Sequence, residues 1–228
     1  MSPILSLITI ILLSYLIGSI PSAVIISKLF FGFDIRKKGS GNMGSTNAFR
    51  ILGWKWGLVV QIADILKGVV AVLVIAKLFE VNYNFAYSYL ENETIVMIIA
   101  GISSVIGHIW SIFVGFKGGK GINTTAGILL AIAPVDFGIA LSIFVIAVIF
   151  SGYISLGSIL AALSVPSSLL FRYNIFGVNI PGYHVIIYFV SALALILVFA
   201  HRANIKRLLE GKENKFQKLH LIKIKSKS

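Results

Sequence analysis

Residues 122–150 read INTTAGILLAIAPVDFGIALSIFVIAVIF, and the number of times this run crosses a membrane decides the fold. As one continuous helix, these 29 residues would extend about 43 Å, at about 1.5 Å per residue. That is more than one hydrocarbon core of about 30 Å needs and less than two full crossings need. Pro134 lies inside the run, with Asp136 two residues on. Proline removes a backbone donor and clashes with the preceding turn, so it breaks or kinks a helix. The stretch therefore reads as two short helices forming a shallow or tilted pair. The alternative is one kinked span, with a segment misassigned elsewhere.

Working outward, further apolar runs lie near 3–26, 55–79, 94–114, 154–171 and 183–200, each near the length of a membrane span. The first run, Pro3 to Phe31, has no Lys or Arg before it and outlasts the core of a signal peptide, so it reads as a retained span. Composition agrees: 57% of residues are hydrophobic and 12% charged, about half the charged share of a soluble domain. The net charge of +12 would suggest nucleic acid in a soluble protein. In so apolar a chain it marks cytoplasmic loops instead, and no nucleic-acid partner is expected. Cysteine is absent, which excludes disulfides, thiolate metal sites and a cysteine acyl-enzyme.

The charges also set orientation. Loop 32–55 carries Arg36, Lys37, Lys38, Arg50 and Lys55, loop 115–121 carries Lys117 and Lys120, and nine more basic residues follow position 201. Loop 80–93 carries Glu80, Glu91 and Glu93 with no Lys or Arg. The positive-inside rule places the basic loops and the tail in the cytoplasm and the N-terminus outside, which requires an odd number of crossings. The expected fold is an all-α polytopic integral membrane protein of about seven transmembrane helical segments, two of them short. Residues 1–211 read as a single transmembrane domain and 212–228 as a basic cytoplasmic tail, with no internal repeat.

Three polar clusters fall on the cytoplasmic face in this topology. In the first, Lys38-Gly39-Ser40-Gly41-Asn42-Met43-Gly44-Ser45-Thr46-Asn47-Ala48-Phe49-Arg50, glycines permit positive φ and bring N–H groups near a ligand. Ser, Thr and Asn add donors, and Arg50 adds a planar fork suited to phosphate. The plainer reading is a flexible loop. The second joins Gly107-His108 to Phe116-Lys117-Gly118-Gly119-Lys120-Gly121. It is not a Walker A sequence, because the glycine spacing is short and Gly121 stands where Ser or Thr would bind magnesium. It reads as a backbone concavity for an anion, against the plainer reading of a turn with two topogenic lysines. The third is His201-Arg202-Ala203-Asn204-Ile205-Lys206-Arg207, where His201 and Asn204 share a helix face. An interfacial anchor would explain its basic residues but not that pair. Ser155 lies in a segment that returns to the same face, as a site residue or a helix cap. Asp64 and Lys67, spaced i, i+3 deep in the second span, read as a structural or functional intramembrane pair. Asp136 is less telling, beside a helix break.

Taken in order, these residues resemble the acyl-phosphate:glycerol-3-phosphate acyltransferases, the PlsY family of bacterial phospholipid synthesis. The pieces that match are Gly39 to Asn47 with Arg50, Asp64-Ile65-Leu66-Lys67-Gly68, Gly107-His108 with Phe116 to Gly121, Ser155-Leu156, and His201-Arg202 with Asn204-Ile205. Each motif alone is modest, and the ordered set is specific. The chain departs from the family pattern at Ser45, at Trp110-Ser111, at Ile122-Asn123 and at Gly152, where an arginine is common.

The resemblance implies transfer of a fatty acyl group from acyl phosphate to glycerol 3-phosphate, at the cytoplasmic face of the bacterial inner membrane. It implies Ser40, Lys120 and His201 as catalytic, with Asn42, Thr46, Asn47, Arg50, Gly118, Gly119, Asn204 and Ser155 binding substrate. No cofactor and no metal are implied, and there is no carboxylate cluster near the three loops. Acyl phosphate, glycerol 3-phosphate and membrane lipid are the implied partners, with the soluble enzyme that makes acyl phosphate as a further one. No histidine is followed by Asp five positions later, so the His-x4-Asp dyad of other glycerolipid acyltransferases is absent. Either His201 or a substrate phosphate oxygen takes the proton. The rival class is a transporter or channel for a phosphorylated metabolite, which Asp64, Lys67 and a broken helix would suit.

Overall fold

The computed structural model describes residues 2–79, 92–213 and 215. Glu80 and Glu91 of the acidic loop, and Lys218 to Lys227 of the tail, lie outside the described residues. Ten α-helices follow in chain order: α1 (Pro3–Ser19), α2 (Ser22–Phe31), α3 (Ser45–Leu52), α4 (Trp54–Leu73), α5 (Asn92–Ile109), α6 (Ile122–Ile132), α7 (Pro134–Ser151), α8 (Ile154–Asn174), α9 (Tyr183–Ala200) and α10 (Arg202–Leu209). No strand occurs among the described residues. Six helical stretches are long and apolar enough to cross a membrane, and α6 is a shorter apolar helix beside them.

Proline interrupts the helices at residue 134, as its position predicts, and also at residue 21. Ala133 leaves helical geometry with φ −143° and ψ 62°, as a residue preceding proline is pushed to do. The break leaves α6 only 11 residues long, about 16 Å. The 18 residues of α7 reach about 27 Å, so only one of the two expected short helices is short. The first apolar run is also interrupted: α1 stops at Ser19, and α2 begins after Pro21, which cannot donate to the preceding turn. It ends on Gly32, whose φ of +71° closes the helix in the left-handed form.

The chain divides into two compact units, Met1–Pro134 and Val135–Ser228. In the first unit, small residues let helices approach to backbone contact. A Cβ on Gly68 of α4 would sit 2.2 Å from the Thr124 carbonyl oxygen of α6, and one on Gly127 of α6 would sit 2.0 Å from that of Ile65. Alanine at either position would force the helices apart. The α1–α5 crossing works the same way, with Gly107 against the Tyr15 carbonyl. It is pinned by Ser111 Oγ donating to the Ser19 carbonyl and Tyr15 Oη donating to that of Trp110. Leu16, Ile62, Leu66 and Ile106 point outward, the exterior that lipid tails would cover.

In the second unit, Asp136 is more than a helix-break residue. It is buried, accepts from Ser168 Oγ at 2.7 Å and pairs with Arg172 Nη1 at 2.6 Å, tying the start of α7 to the end of α8. Tyr173 and Tyr183 stack at 3.6 Å between centroids and join α8 to α9.

Candidate active site

The segment from Asp34 to Asn47 folds around one side chain. Asn47, in the first turn of α3, is 2% exposed. Its Oδ1 accepts from the Ser40 N–H at 3.0 Å. Its Nδ2 donates to the carbonyls of Asn42 at 2.9 Å and Lys38 at 3.1 Å, with a longer contact to Ile35 at 3.4 Å. Asn42 Oδ1 turns back to accept from the Gly44 N–H at 2.8 Å. Gly39 has φ +62°, and a Cβ there would lie 2.3 Å from Asn47 Oδ1. Asn47, expected to bind substrate, is thus engaged in shaping the loop that presents Ser40 and Asn42.

Asp34 opens the same loop and carries a fork-on-fork pair with Arg36. Arg36 Nη2 lies 2.7 Å from Asp34 Oδ2 and Nε lies 3.0 Å from Oδ1. These side-chain hydrogen bonds hold the Asp34 carboxyl down at about 2 despite its burial, with lesser help from the Arg36 N–H and from Lys28. Arg36 Nη1 also donates to the Val114 carbonyl at 3.3 Å, drawing the two cytoplasm-assigned loops of this unit together. Asn123 Nδ2 donates to Ser45 Oγ at 2.8 Å as a second link.

The lysine loop departs from expectation. Its spacing predicts glycine N–H groups facing an anion, but Gly118 N–H donates to the Ile109 carbonyl at 2.9 Å and Gly119 N–H to that of His108 at 3.0 Å. Glycine is needed here for close packing. A Cβ on Gly118 would sit 2.0 Å from the His108 carbonyl oxygen, and one on Gly119 would sit 2.1 Å from His108 Nε2. Phe116, at φ +59°, is the one non-glycine residue in the left-handed region among the described residues.

Between the two loops lies an open pocket of about 470 Å³. Ser40, Gly41, Asn42 and Gly118 line it together with Asp34, Arg36, Lys37 and Lys117. Three cations face one carboxylate, which already pairs with Arg36, so the pocket suits an anion. Asp34, Arg36 and Lys37 lie outside the three polar clusters, whereas Lys117 belongs to the glycine-rich lysine cluster expected to face an anion. A signal was available in the Asp34-x-Arg36 spacing, which permits a local bidentate pair. Thr46 and Arg50 are exposed on α3 and Lys120 is exposed in its loop, and none of the three lines this pocket.

Below these loops, Lys67 Nζ lies 2.5 Å from Asp64 Oδ1, with both residues buried. His108 Nδ1 is 3.9 Å from the same carboxylate oxygen. Lys67 pairs with Oδ1 alone, and Asp64 Oδ2 and His108 Nδ1 are buried without a hydrogen-bond partner among the described residues.

In the second unit, Ser155 and Asn204 meet on a residue that the motifs did not include. Glu213 Oε1 accepts from Ser155 Oγ at 3.0 Å and from Asn204 Nδ2 at 2.8 Å, and Oε2 accepts from Arg207 Nε at 2.8 Å. The Asn204 bond does most to lower the Glu213 carboxyl below its ordinary range. Glu213 lies in the basic tail, and nothing in the spacing links it to Ser155. His201 caps α9, and its Nδ1 donates to the Leu197 carbonyl at 2.9 Å. In the neutral ring that leaves Nε2 as the acceptor.

Comparison with known proteins identifies the group to which this architecture belongs. The sequence profile of the glycerol-3-phosphate acyltransferase family matches residues 8–211. A glycerol-3-phosphate acyltransferase of Chlorobaculum tepidum is 44% identical over 226 residues, covering 92% of this chain and 97% of that protein. One of Chlorobium phaeobacteroides is 44% identical over 231 residues, covering 93% and 97%. The crystal structure of PlsY, an integral membrane glycerol 3-phosphate acyltransferase, in its glycerol 3-phosphate form superimposes with a TM-score of 0.69 at 33% identity, covering 94% of this chain and 98% of that one. Its lysophosphatidic acid form gives 0.67 at 32% identity, covering 92% and 95%. A multi-pass bundle of apolar helices, carrying its polar loops in this order, therefore belongs to the glycerol-3-phosphate acyltransferase family of integral membrane proteins.

Proposed function

We propose that this chain acylates glycerol 3-phosphate with acyl phosphate as donor, releasing 1-acyl-glycerol 3-phosphate and inorganic phosphate. The observation that carries the reading is the pocket in which Arg36, Lys37 and Lys117 surround the donors of Ser40 and Asn42. Such a pocket offsets the repulsion between phosphate groups brought close together. The curated relatives are named for the same acceptor, which supports glycerol 3-phosphate as the anion bound. The family match spans 8–211, which supports one acyltransferase domain followed by a basic tail.

In the proposed reaction a hydroxyl oxygen of glycerol 3-phosphate attacks the acyl carbonyl carbon. The bond from that carbon to the phosphate oxygen breaks, and the hydroxyl proton ends on a phosphate oxygen of the leaving group. Ser40 donates to the developing negative charge. Arg36, Lys37 and Lys117 supply charge-assisted bonds to the phosphate in the pocket, and Arg50, Lys120 and Thr46, which lie outside it, are assigned to the second phosphate group. In the second unit, His201 is assigned hydrogen bonding through Nε2 rather than obligate proton abstraction, and Ser155 and Asn204 are assigned to the donor. The basic loops are assigned to the cytoplasmic face of a bacterial inner membrane.

Purified protein in detergent, given glycerol 3-phosphate and palmitoyl phosphate, should release phosphate and form the lysophospholipid. Palmitoyl-CoA under matched conditions should give little turnover. Equal rates with the two donors would overturn the donor assignment, while product from neither would overturn the activity itself.

A further inference from the structure

The buried Asp64–Lys67 pair and the His108 ring beside it are unused by the proposed reaction, yet they lie against the lysine loop. Asp64 is 1% exposed, His108 3% and Lys67 5%. The His108 ring stands 3.9 Å from Asp64 Oδ1 on one side. On the other, it lies so close to Gly119 that a methyl there would meet Nε2 at 2.1 Å. The backbone of the same residue receives the Gly119 N–H at 3.0 Å, and its carbonyl is what excludes a side chain from Gly118. Beyond the loop, in the first turn of α6, the Thr124 carbonyl lies against Gly68, the residue after Lys67. The segment carrying Lys117 and Lys120 is therefore seated on α5 through His108, and the helix that follows it is seated on α4 at Gly68.

From this geometry we infer that His108 is a positioning residue: its ring, set against Asp64, fixes the height of the Gly118-Gly119 backbone and so the reach of Lys117 into the anion pocket. His108 touches no substrate in this assignment and acts through the loop. Lys117 and Gly118 line the pocket, whereas His108 does not. His108 Nδ1 makes no hydrogen bond among the described residues, so the ring holds the loop by close packing. Deleting the ring leaves space into which the glycine backbone sinks. Lost registration weakens phosphate binding rather than the chemical step. The inference rests on the proposed acceptor, glycerol 3-phosphate, and its test separates the two.

His108→Ala is prepared in detergent, its melt compared with wild type, and its Kd for glycerol 3-phosphate measured by titration calorimetry beside kcat and KM. The expected result is a rise of about tenfold in both Kd and KM, the size of one lost charge-assisted contact, with kcat changed less than about threefold. In His108→Ala/Gly119→Ala the added methyl occupies the vacated space, so KM should return part of the way to wild type, as a merely structural role would not predict. Unchanged Kd and KM in a folded His108→Ala would overturn the inference, as would a fall in kcat alone. If His108→Ala does not fold, His108→Gln carries the test, with a rise of about threefold expected. Failure of both to fold would assign His108 to the packing core and overturn the positioning role. A wild type that binds glycerol 3-phosphate without turnover would sink the proposed reaction and leave the Kd comparison decisive here. A wild type that does not bind it would sink both.

Discussion

Replacing Asn47 with Ala removes every link that the side chain makes across the 34–47 loop, and the structure sets the size of the effect. Three contacts at 2.9 to 3.1 Å are lost, with a fourth at 3.4 Å that is weak. A buried partner left unsatisfied costs about 1–3 kcal/mol. Water can replace the contacts to Ser40 and Lys38, which are exposed, so the loss falls mainly on Asn42 and the buried Ile35. A net loss of about 2–3 kcal/mol in the ordered form of the loop follows. The population able to bind falls about 15- to 80-fold if ordered and disordered forms are initially balanced in free energy, and less if the loop begins well ordered. The assay is kcat/KM together with hydrogen exchange at residues 38–47 and a melt. Activity should fall by at least tenfold, exchange should rise in the loop, and the melt should move by only a few degrees. Asn47→Asp keeps the acceptor for Ser40 N–H but sets a carboxylate against backbone carbonyls, so it should be no better than Ala. Lost activity with unchanged exchange would show that Asn47 contacts substrate directly, refuting the organising role. Unchanged activity would show that loop order does not matter.

Three further outcomes are expected. The Asp34 carboxyl sits at about 2 in the folded protein against an ordinary 3.8, so its pairing stabilises the fold fully above pH about 4 and the benefit is lost as pH falls through about 2. Asp34→Asn should therefore lower the melt at pH 7 and match wild type near pH 2; equal melts at pH 7 would contradict the assignment. Lys67→Met leaves Asp64 charged, buried and unpaired, a loss of about 3–5 kcal/mol that a melt would register, while Asp64→Asn/Lys67→Met should recover much of it. A single variant melting like wild type would show the pair to be dispensable. His201→Gln should retain measurable turnover with the acidic limb of its pH–rate profile intact, because a phosphate oxygen takes the proton. A fully inactive variant that still binds glycerol 3-phosphate normally would assign proton abstraction to His201.

What could be read from the sequence follows the range of the forces involved. Span lengths, the break at Pro134 and the Asp64–Lys67 pair depend on residues within one or two turns, where hydropathy, a missing N–H and i, i+3 spacing leave few options. The break after Ile20 was equally local, since Pro21 lacks the same donor, but unbroken hydropathy concealed it. The site was harder, because glycine, Ser and Asn serve a loop and a ligand alike. Asn47 and the Gly118 and Gly119 N–H groups carry the residue types of a phosphate site, yet their hydrogen bonds go to carbonyls of the protein itself. Buried backbone must find partners somewhere, and it competes with any ligand for the same donors. The pocket is left to groups with capacity beyond such bonds: the cations Arg36, Lys37 and Lys117, with Ser40 and Asn42 at its wall. Contacts between residues far apart in sequence, such as Asp136 with Arg172 or Ser155 with Glu213, leave no trace in spacing. The motifs thus mark candidate loops, while the division between residues that build them and residues with donors to spare appears only when each donor is followed to its acceptor.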